Sequence, residues 1–202
     1  RDKVRIDYFP VACNTIADFM PVLLKHIQFN HELRYKLYQV DYLATLSGEL
    51  LVSLIYKRPL TNSWLEQARS LTDALAGQYN VKFIGRSRKQ KLMVSNDYVT
   101  EQFELDGANL RYQQVEGSFT QPNGEVNRKM LGWAKQIASG LSGDLLELYC
   151  GNGNFSIALA QCFNQVVATE ISRTSIKSAQ YNIEQLLNAG ISNGLLVKQE
   201  RT

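Results

Sequence analysis

The 202-residue sequence has few of the features that mark secreted, membrane or metal-binding proteins. It contains three cysteines, Cys13, Cys150 and Cys162, an odd number without metal-ligand spacing, so we expect reduced thiols and no disulfide framework or zinc site. No apolar run approaches the roughly 20 residues of a membrane span, and no signal peptide is visible. The sequence therefore predicts a cytoplasmic protein with neither a membrane partner nor a metal.

An excess of charge of one sign is also missing. The formal net charge of +3 is too small to indicate nucleic-acid binding by itself. Hydrophobic residues make up 45% of the chain and charged residues 20%, which are the proportions of an ordinary globular protein. The length allows one large or two small domains. Because the chain begins at Arg1 and not at methionine, we interpret it as a piece of a longer protein.

Two patterns divide the chain. Before residue 117, helical and strand patterns are mixed and include hairpins, whereas from about residue 123 helices and strands alternate as in a doubly wound parallel sheet. We therefore predict a mixed α+β domain over 1–116 and a second α/β domain over 117–202. Ser63 and Glu66 match a capping box, which predicts a helix running to about Ala76. Trp64 and Trp133 lie in helical patterns, and we expect both to pack in the interior.

The most informative segment joins a short apolar run to two glycines and a helix. Leu145–Tyr149 is predicted to be a buried strand, Gly151 and Gly153 permit a sharp turn, and Asn154 begins a helical pattern. Such a joint exposes backbone N–H groups and a helix N-terminus beside the end of a strand. That arrangement suits a polar cofactor that carries a nucleoside.

The side chains around this turn favour S-adenosylmethionine (SAM) over NAD. Ser156 stands where a dinucleotide fingerprint has its third small residue, so the match is imperfect, and no Lys-Ser/Thr pair of a triphosphate-binding loop follows the glycines. Glu170 ends the next apolar run, where it can accept hydrogen bonds from both ribose hydroxyls. Glu147 adds a second carboxylate. Carboxylates oppose a pyrophosphate but tolerate a sulfonium cation; a purely structural glycine turn is the remaining alternative.

These segments together resemble the RNA 5-methyluridine methyltransferases, and within that family the members that act on the T-loop of tRNA. The resemblance rests on Ser118–Asn123, Leu145–Ser156 and Ala168–Glu170, and it extends upstream through Lys36–Leu43 and Phe83–Arg86. It implies that residues 117–202 are the first half of a Rossmann-like, SAM-dependent methyltransferase domain. It also implies SAM contacts at the residues that match the family's motifs, namely Gln121, Tyr149, Asn154 and Glu170.

The chemistry of the resembled family requires residues that this sequence does not contain. In that family a cysteine thiolate adds to C6 of uracil, C5 then attacks the methyl group, and a carboxylate base removes the C5 proton. The nucleophile belongs to a Ser-Cys-Asn-Pro-like motif and the base to a His-rich motif, and neither motif occurs here. We therefore expect no catalytic residue in this chain and no methylation by it. We expect the complete protein to be a monomer and this piece to self-associate.

A basic hairpin is the predicted contact for RNA. Arg86, Arg88, Lys89 and Lys91, with Lys82 nearby, form a strip that could hold phosphates of the tRNA T-arm or of a T-loop-like RNA such as tmRNA. A solvated turn explains the same residues equally well. Three other functions stay open: an rRNA 5-methyluridine methyltransferase, a nicotinamide-dependent Rossmann oxidoreductase, and a non-catalytic RNA-binding piece.

Overall fold

The computed structural model describes residues 4, 6, 8–188 and 194–199, with the backbone alone for Asn188 and for 194–199. The chain divides into two compact units, one of residues 1–44 and 48–99 and the other of residues 45–47 and 100–202. The first unit has the elements α1 (Asn14–Phe29), α2 (His31–Arg34), β1 (Leu37–Ala44), β2 (Glu49–Tyr56), α3 (Asn62–Leu75), β3 (Asn80–Ser87) and β4 (Gln90–Met93).

A four-stranded sheet in the order β1-β2-β3-β4 organises the first unit. The strands β2 and β3 are parallel because α3 connects them as a crossover, and the two outer pairs are antiparallel. Phe19 and Leu23 of α1 and the fully buried Trp64 of α3 pack in the core of this unit. Each buried side chain of this size contributes about 1.5–3 kcal/mol relative to exposure. Gly85 of β3 permits the close approach of Trp64, whose ring a Cβ would meet at 2.7 Å.

The start of α3 corrects one prediction. The helix begins at Asn62 with Thr61 as its N-cap, and no side-chain hydrogen bond caps it. Ser63 therefore lies inside the first turn, and the predicted capping box is wrong. Trp64 lies in this first turn and is buried against Gly85. We attribute the start of the helix to this packing, since no side chain caps it.

The second unit combines a hairpin with a parallel sheet. Its elements are β5 (Tyr98–Leu105), whose first two residues belong to the first unit, β6 (Ala108–Val115), α4 (Gly124–Ala138), β7 (Asp144–Leu148), α5 (Asn154–Leu159), β8 (Gln165–Glu170), α6 (Arg173–Asn188) and β9 (Gly194–Gln199). The strands β7, β8 and β9 are parallel and adjacent in that order. Asp106 and Gly107 both have positive φ, as the two-residue turn between β5 and β6 requires.

The hairpin β5–β6 packs with the second unit. Its side chains Phe103, Leu110 and Tyr112 share one core with Leu131 of α4 and Ile183 of α6. The sequence assigned these strands to the domain 1–116, whereas their contacts join them to the helices that follow. The predicted domain roles stay predictions.

Only one face of strand β7 is covered in the described part of the chain. Leu145 and Glu147 pair in register with the buried Val166 and Ala168, on the face that carries the core. On the other face, Leu146 and Leu148 are 62% and 56% exposed. The prediction of a fully buried strand is therefore wrong for that face, although the strand itself is confirmed.

Helix α4 also shows apolar residues to solvent. Leu131 and Ala138 face the core, but Val126, Trp133 and Ile137 are exposed at helical spacing. Trp133 is 65% exposed, so the expectation that it packs is wrong, whereas the expectation for Trp64 is confirmed. Two features are not found among the described residues: a helix long and apolar enough to cross a membrane, and a cluster of three or more His, Cys, Asp or Glu side chains able to hold a metal.

Candidate cofactor-binding site

The predicted strand–turn–helix joint is present at the end of β7. Tyr149, Gly151 and Gly153 all have positive φ, and Gly153 is the N-cap of α5 in the left-handed region. The turn is closed by a hydrogen bond from the Gly153 amide to the Cys150 carbonyl (2.9 Å) and tied to β8 by one from the Cys150 amide to Thr169 (2.9 Å). A side chain at Gly153 would lie 3.1 Å from Ile157, so backbone and packing both favour glycine there.

A pocket of about 120 Å³ lies beside this turn. Its walls come from β6, from the loop before α4, from α4 itself, and from the end of β7 with the start of α5. The lining residues are Tyr112, Gln114, Phe119, Thr120, Gln121, Asn127, Glu147, Tyr149, Cys150, Gly151, Asn152, Asn154 and Phe155. Gln121, Tyr149, Gly151 and Asn154 were singled out from the sequence. The other two predicted residues, Gly153 and Glu170, do not line the pocket. Gly153 belongs to the turn, and Glu170 bonds to the backbone of the turn.

Glu170 holds the turn through its backbone amides. One carboxylate oxygen accepts from the Gly151 N–H at 2.9 Å, and the other accepts from Ile171 and Ser172 at 2.8 Å each. The residue is 8% exposed. A carboxylate offers about four acceptor positions, so three are used by the backbone and one is left. Glu170 therefore fixes the position of Gly151 beside the pocket.

Glu147 is a half-buried carboxyl group in the pocket wall. The Ser156 hydroxyl donates to it, and Ser156 is fully buried at the start of α5. Burial raises the pKa of Glu147, an effect that the hydrogen bonds from Ser156 oppose. Ser156, at which the match to the dinucleotide fingerprint is imperfect, thus has a structural role, because it joins α5 to the carboxyl group of Glu147 on β7.

Two asparagines join helix α4 to helix α5. The Asn127 amide donates to Asn154 Oδ1 at 3.0 Å, and the Asn154 amide donates to Asn127 Oδ1 at 2.8 Å. The Tyr112 hydroxyl donates to the Asn154 carbonyl at 3.0 Å. Sequence reasoning missed Asn127 and Tyr112. The signal for Asn127 was a polar residue four positions before Leu131, on the buried stripe of an amphipathic helix.

The hairpin and helix α6 support the turn from another side. The Asn152 side chain donates to the Gln113 carbonyl at 3.1 Å, and the Asn182 side chain donates to the Asn152 carbonyl at 3.0 Å. Asn182 Oδ1 also accepts from the Gln113 amide at 2.7 Å. The loop is therefore held by buried amide groups and does not depend on glycine geometry alone.

Cys150 is buried in the pocket wall and is a poor nucleophile. Its pKa is raised to about 12, chiefly by burial and in smaller part by the nearby carboxylates of Glu147 and Glu170. A thiolate is therefore scarce at neutral pH. All three cysteines are free thiols, with Cys13 exposed and Cys162 half-buried.

The predicted basic strip lies in the first unit, on β3, β4 and the turn between them. Lys82 pairs with Glu49 at 2.8 Å and Lys91 pairs with Asp97 at 2.5 Å, so acidic neighbours offset these two charges. Arg88 and Lys89 are exposed at the turn, and Arg86 is half-buried. The role of this strip in RNA binding stays a prediction.

Comparison with known proteins identifies the family. The family described as tRNA (uracil-5-)-methyltransferase matches residues 1–197. The chain belongs to this family. The resemblance to RNA 5-methyluridine methyltransferases is thereby confirmed, and family membership sets the nicotinamide-dependent oxidoreductase aside.

Curated relatives of the tRNA (uracil-5-)-methyltransferase family are similar along most of the chain. A tRNA/tmRNA (uracil-C(5))-methyltransferase of Pseudoalteromonas translucida is 55% identical over 92% of this chain and 50% of its own length. One of Shewanella loihica is 56% identical over 90% of this chain and 50% of its own length. The chain thus spans about half the length of these relatives.

A solved structure supports the fold. The Pyrococcus abyssi tRNA (uracil-54, C5)-methyltransferase, in complex with S-adenosyl-L-homocysteine, matches 98% of this chain and 50% of its own length, with a TM-score of 0.65 and 18% identity. At this identity the likeness shows the fold. The predicted α/β class, with a Rossmann-like methyltransferase part, is confirmed.

Proposed function

We propose that the chain binds SAM in the pocket beside the glycine turn. The observation that carries the proposal is the pocket's position at the end of β7, where Gln121, Tyr149, Gly151 and Asn154 line it in a member of a methyltransferase family. Parallel sheets bind nucleoside-bearing ligands outside the carboxyl ends of their strands. SAM supplies an electrophilic methyl group bound to a sulfonium cation.

The residues at the turn fit such a ligand. Glu170 holds the turn with three of about four acceptor positions, and we propose that the remaining position accepts a hydrogen bond from the ribose. Gly153 contributes by allowing the left-handed N-cap of α5. Glu147 places a carboxyl group in the wall, which in its ionised form opposes the negative charge of a pyrophosphate and favours SAM over a dinucleotide.

The reaction we propose for the complete protein is methylation of C5 of a uridine in the T-loop of tRNA. Its support is the family and the relatives that are named tRNA/tmRNA (uracil-C(5))-methyltransferases. The same names favour tRNA, with tmRNA as a T-loop-like RNA, over rRNA as the substrate. The partner would be the T-arm, with Arg86, Arg88, Lys89 and Lys91 as candidate phosphate contacts. A cytoplasmic location agrees with three free thiols.

The 202 residues do not suffice for catalysis in this proposal. The family's mechanism needs a cysteine nucleophile in a Ser-Cys-Asn-Pro-like motif, and none of the three cysteines of this chain lies in such a motif. The buried Cys150, which lines the pocket, also has a raised pKa. We therefore assign to the described residues the binding of the cofactor and of part of the RNA, and to no residue among them the bond-making step.

Calorimetric titration tests the cofactor. The purified chain is expected to bind SAM and S-adenosylhomocysteine and not NAD. Glu170→Gln should weaken binding of both adenosyl ligands, since it removes a charge from the group that holds the turn. The matched control is Glu184→Gln, which removes a carboxylate from an exposed position of α6 and should leave affinity unchanged.

Binding of NAD with equal affinity, or no binding of either adenosyl compound to a folded chain, would contradict the proposed cofactor. Equal loss of affinity in the Glu170 and Glu184 variants would contradict the role of Glu170 but not the proposed cofactor.

A further inference from the structure

Asn127 of α4 and Asn154 of α5 form a closed pair of amide groups. Each side chain donates one hydrogen bond to the other and accepts one in return, at 3.0 and 2.8 Å. Asn127 is 5% exposed, and both residues line the pocket. A primary amide has two N–H donors and two acceptor positions on its oxygen, so the pair uses one of each from either residue.

The pair holds the plane of the Asn154 amide and couples its orientation to that of Asn127. An isolated asparagine amide can rotate by half a turn and exchange its oxygen and nitrogen, at little cost when solvent serves both ends. The reciprocal bonds couple Asn154 to Asn127, because rotation of Asn154 alone would oppose oxygen to oxygen and nitrogen to nitrogen, so the two amides can exchange their ends only together. Asn127 then holds the plane of the Asn154 amide, so that the two outward positions of that amide keep their directions.

The backbone beneath Asn154 is fixed separately. Tyr112 of β6 donates its hydroxyl proton to the Asn154 carbonyl at 3.0 Å, and the ring of Tyr112 is almost fully buried. Gly153 starts α5 immediately before Asn154. The main chain of Asn154 is thus set by β6 and the turn, whereas the rotation of its amide is set by α4.

We propose that Asn127 is a positioning residue, which orients the Asn154 amide towards the cofactor. The proposal rests on the proposed SAM site and adds a residue of α4 to it. Helix α4 begins after the loop that carries Gln121, so one segment of chain delivers Gln121 to the pocket and aligns Asn154 across it. Asn127 acts through Asn154 in this assignment, and its own contact with the ligand is not required.

A double-mutant cycle tests this assignment on the complete 202-residue chain. Asn127→Leu keeps the branched shape of the side chain but removes both bonds of the pair, and it is expected to weaken SAM binding by about tenfold. Asn154→Ala should weaken binding as well. Once Asn154 is alanine, adding Asn127→Leu should cause no further loss of affinity, since there is no amide left to orient.

Two variants control for stability. Leu131→Val shortens a fully buried side chain of the same helix that does not line the pocket, and it should lower thermal stability while affinity stays at the wild-type value. Asn127→Asp keeps the shape of the side chain and still accepts from Asn154, but it cannot donate when ionised. It should weaken SAM binding too, and it carries the test if Asn127→Leu does not fold.

The outcomes separate this inference from the proposed function. A folded wild-type chain that binds no SAM contradicts the proposed function, and the role of Asn127 with it. Wild-type affinity in both Asn127 variants contradicts the positioning role while the SAM site stands. Additive losses in the cycle, or an equal loss of affinity in Leu131→Val, also contradict it, because they indicate a direct contact or general destabilisation.

Discussion

At the scale of single residues, the site depends on polar groups that are buried and bonded. Glu170, Asn127 and Ser156 are each at most 8% exposed, and each bonds to another part of the turn or its helix. An unpaired buried polar group costs about 1–3 kcal/mol, which explains why such groups occur in partnered sets. The glycine turn is consequently held in shape before any ligand arrives.

Glu147 gives this network a dependence on pH. Its pKa is raised from 4.5 by burial, so the folded state binds the proton more tightly than the unfolded state does. The contribution of protonated Glu147 to the free energy of unfolding is therefore most favourable below pH 4.5, the ordinary pKa of the group. It is lost as pH rises through the raised pKa of the folded state. We expect Glu147→Gln, which can still accept from Ser156, to gain stability relative to wild type as pH rises through that window.

Hydrogen exchange of the β7 and β8 amides at a series of pH values measures this difference. Glu101 is also buried and its pKa is also raised, but it is present in both proteins and cancels in the comparison. A difference between the two proteins that stays constant over the window would contradict the prediction.

At the scale of elements, helix α4 and strand β7 have faces that the described chain leaves open. Trp133, Ile137 and Val126 lie along one side of α4, and Leu146 and Leu148 along one side of β7. Apolar area exposed to water favours association, at about 25 cal/mol for each Å² that becomes buried. Parallel sheets are ordinarily covered on both faces, so the open face of β7 is unusual for its class.

We expect the isolated chain to self-associate through these faces. Trp133→Lys should lower the weight-average molecular mass measured by sedimentation equilibrium at a given concentration, because it places a charge in the middle of the exposed stripe on α4. Arg128→Gln, a change at an exposed site of the same helix away from this stripe, is the matched control and should leave the mass unchanged. A monomeric wild-type chain at high concentration would contradict the expectation.

At the scale of the whole molecule, a family match over residues 1–197 coincides with a chain that spans half the length of its relatives. The first unit has its own core around Trp64 and Phe19, and the second has another around Tyr112 and Leu131. The described residues contain the proposed cofactor pocket and the candidate RNA contacts, but we assign the bond-making step to none of them.

The assignment predicts that the 202-residue chain binds the cofactor but does not methylate RNA. Incubation with unmodified tRNA and methyl-labelled SAM should give no labelled RNA, although we expect SAM to bind. A full-length relative, such as the Pseudoalteromonas translucida protein, serves as the positive control under the same conditions. Sustained labelling by the 202-residue chain would overturn the assignment and would require a nucleophile among its own cysteines.

Local pattern was sufficient for much of the structure. The glycine turn after Leu148, the start of a helix at Asn154 and the end of β8 at Glu170 were all predicted, because each depends on neighbours within a few residues. Gln121, Tyr149 and Asn154, three of the residues that the family resemblance implies as SAM contacts, line the pocket, and their contact with SAM stays a prediction. The two carboxylates were identified, but their partners were not.

The sequence by itself determined the family, the alternation of helices and strands in the second half, and the place of the glycine turn, since these follow from motifs and periodicity along the chain. Only the tertiary structure decided that Asn127 meets Asn154, that the hairpin packs with the second unit, and that Trp133 faces solvent. Such contacts join residues far apart in sequence. Their pairing depends on which surfaces of the folded chain meet, and local sequence propensity does not predict those contacts.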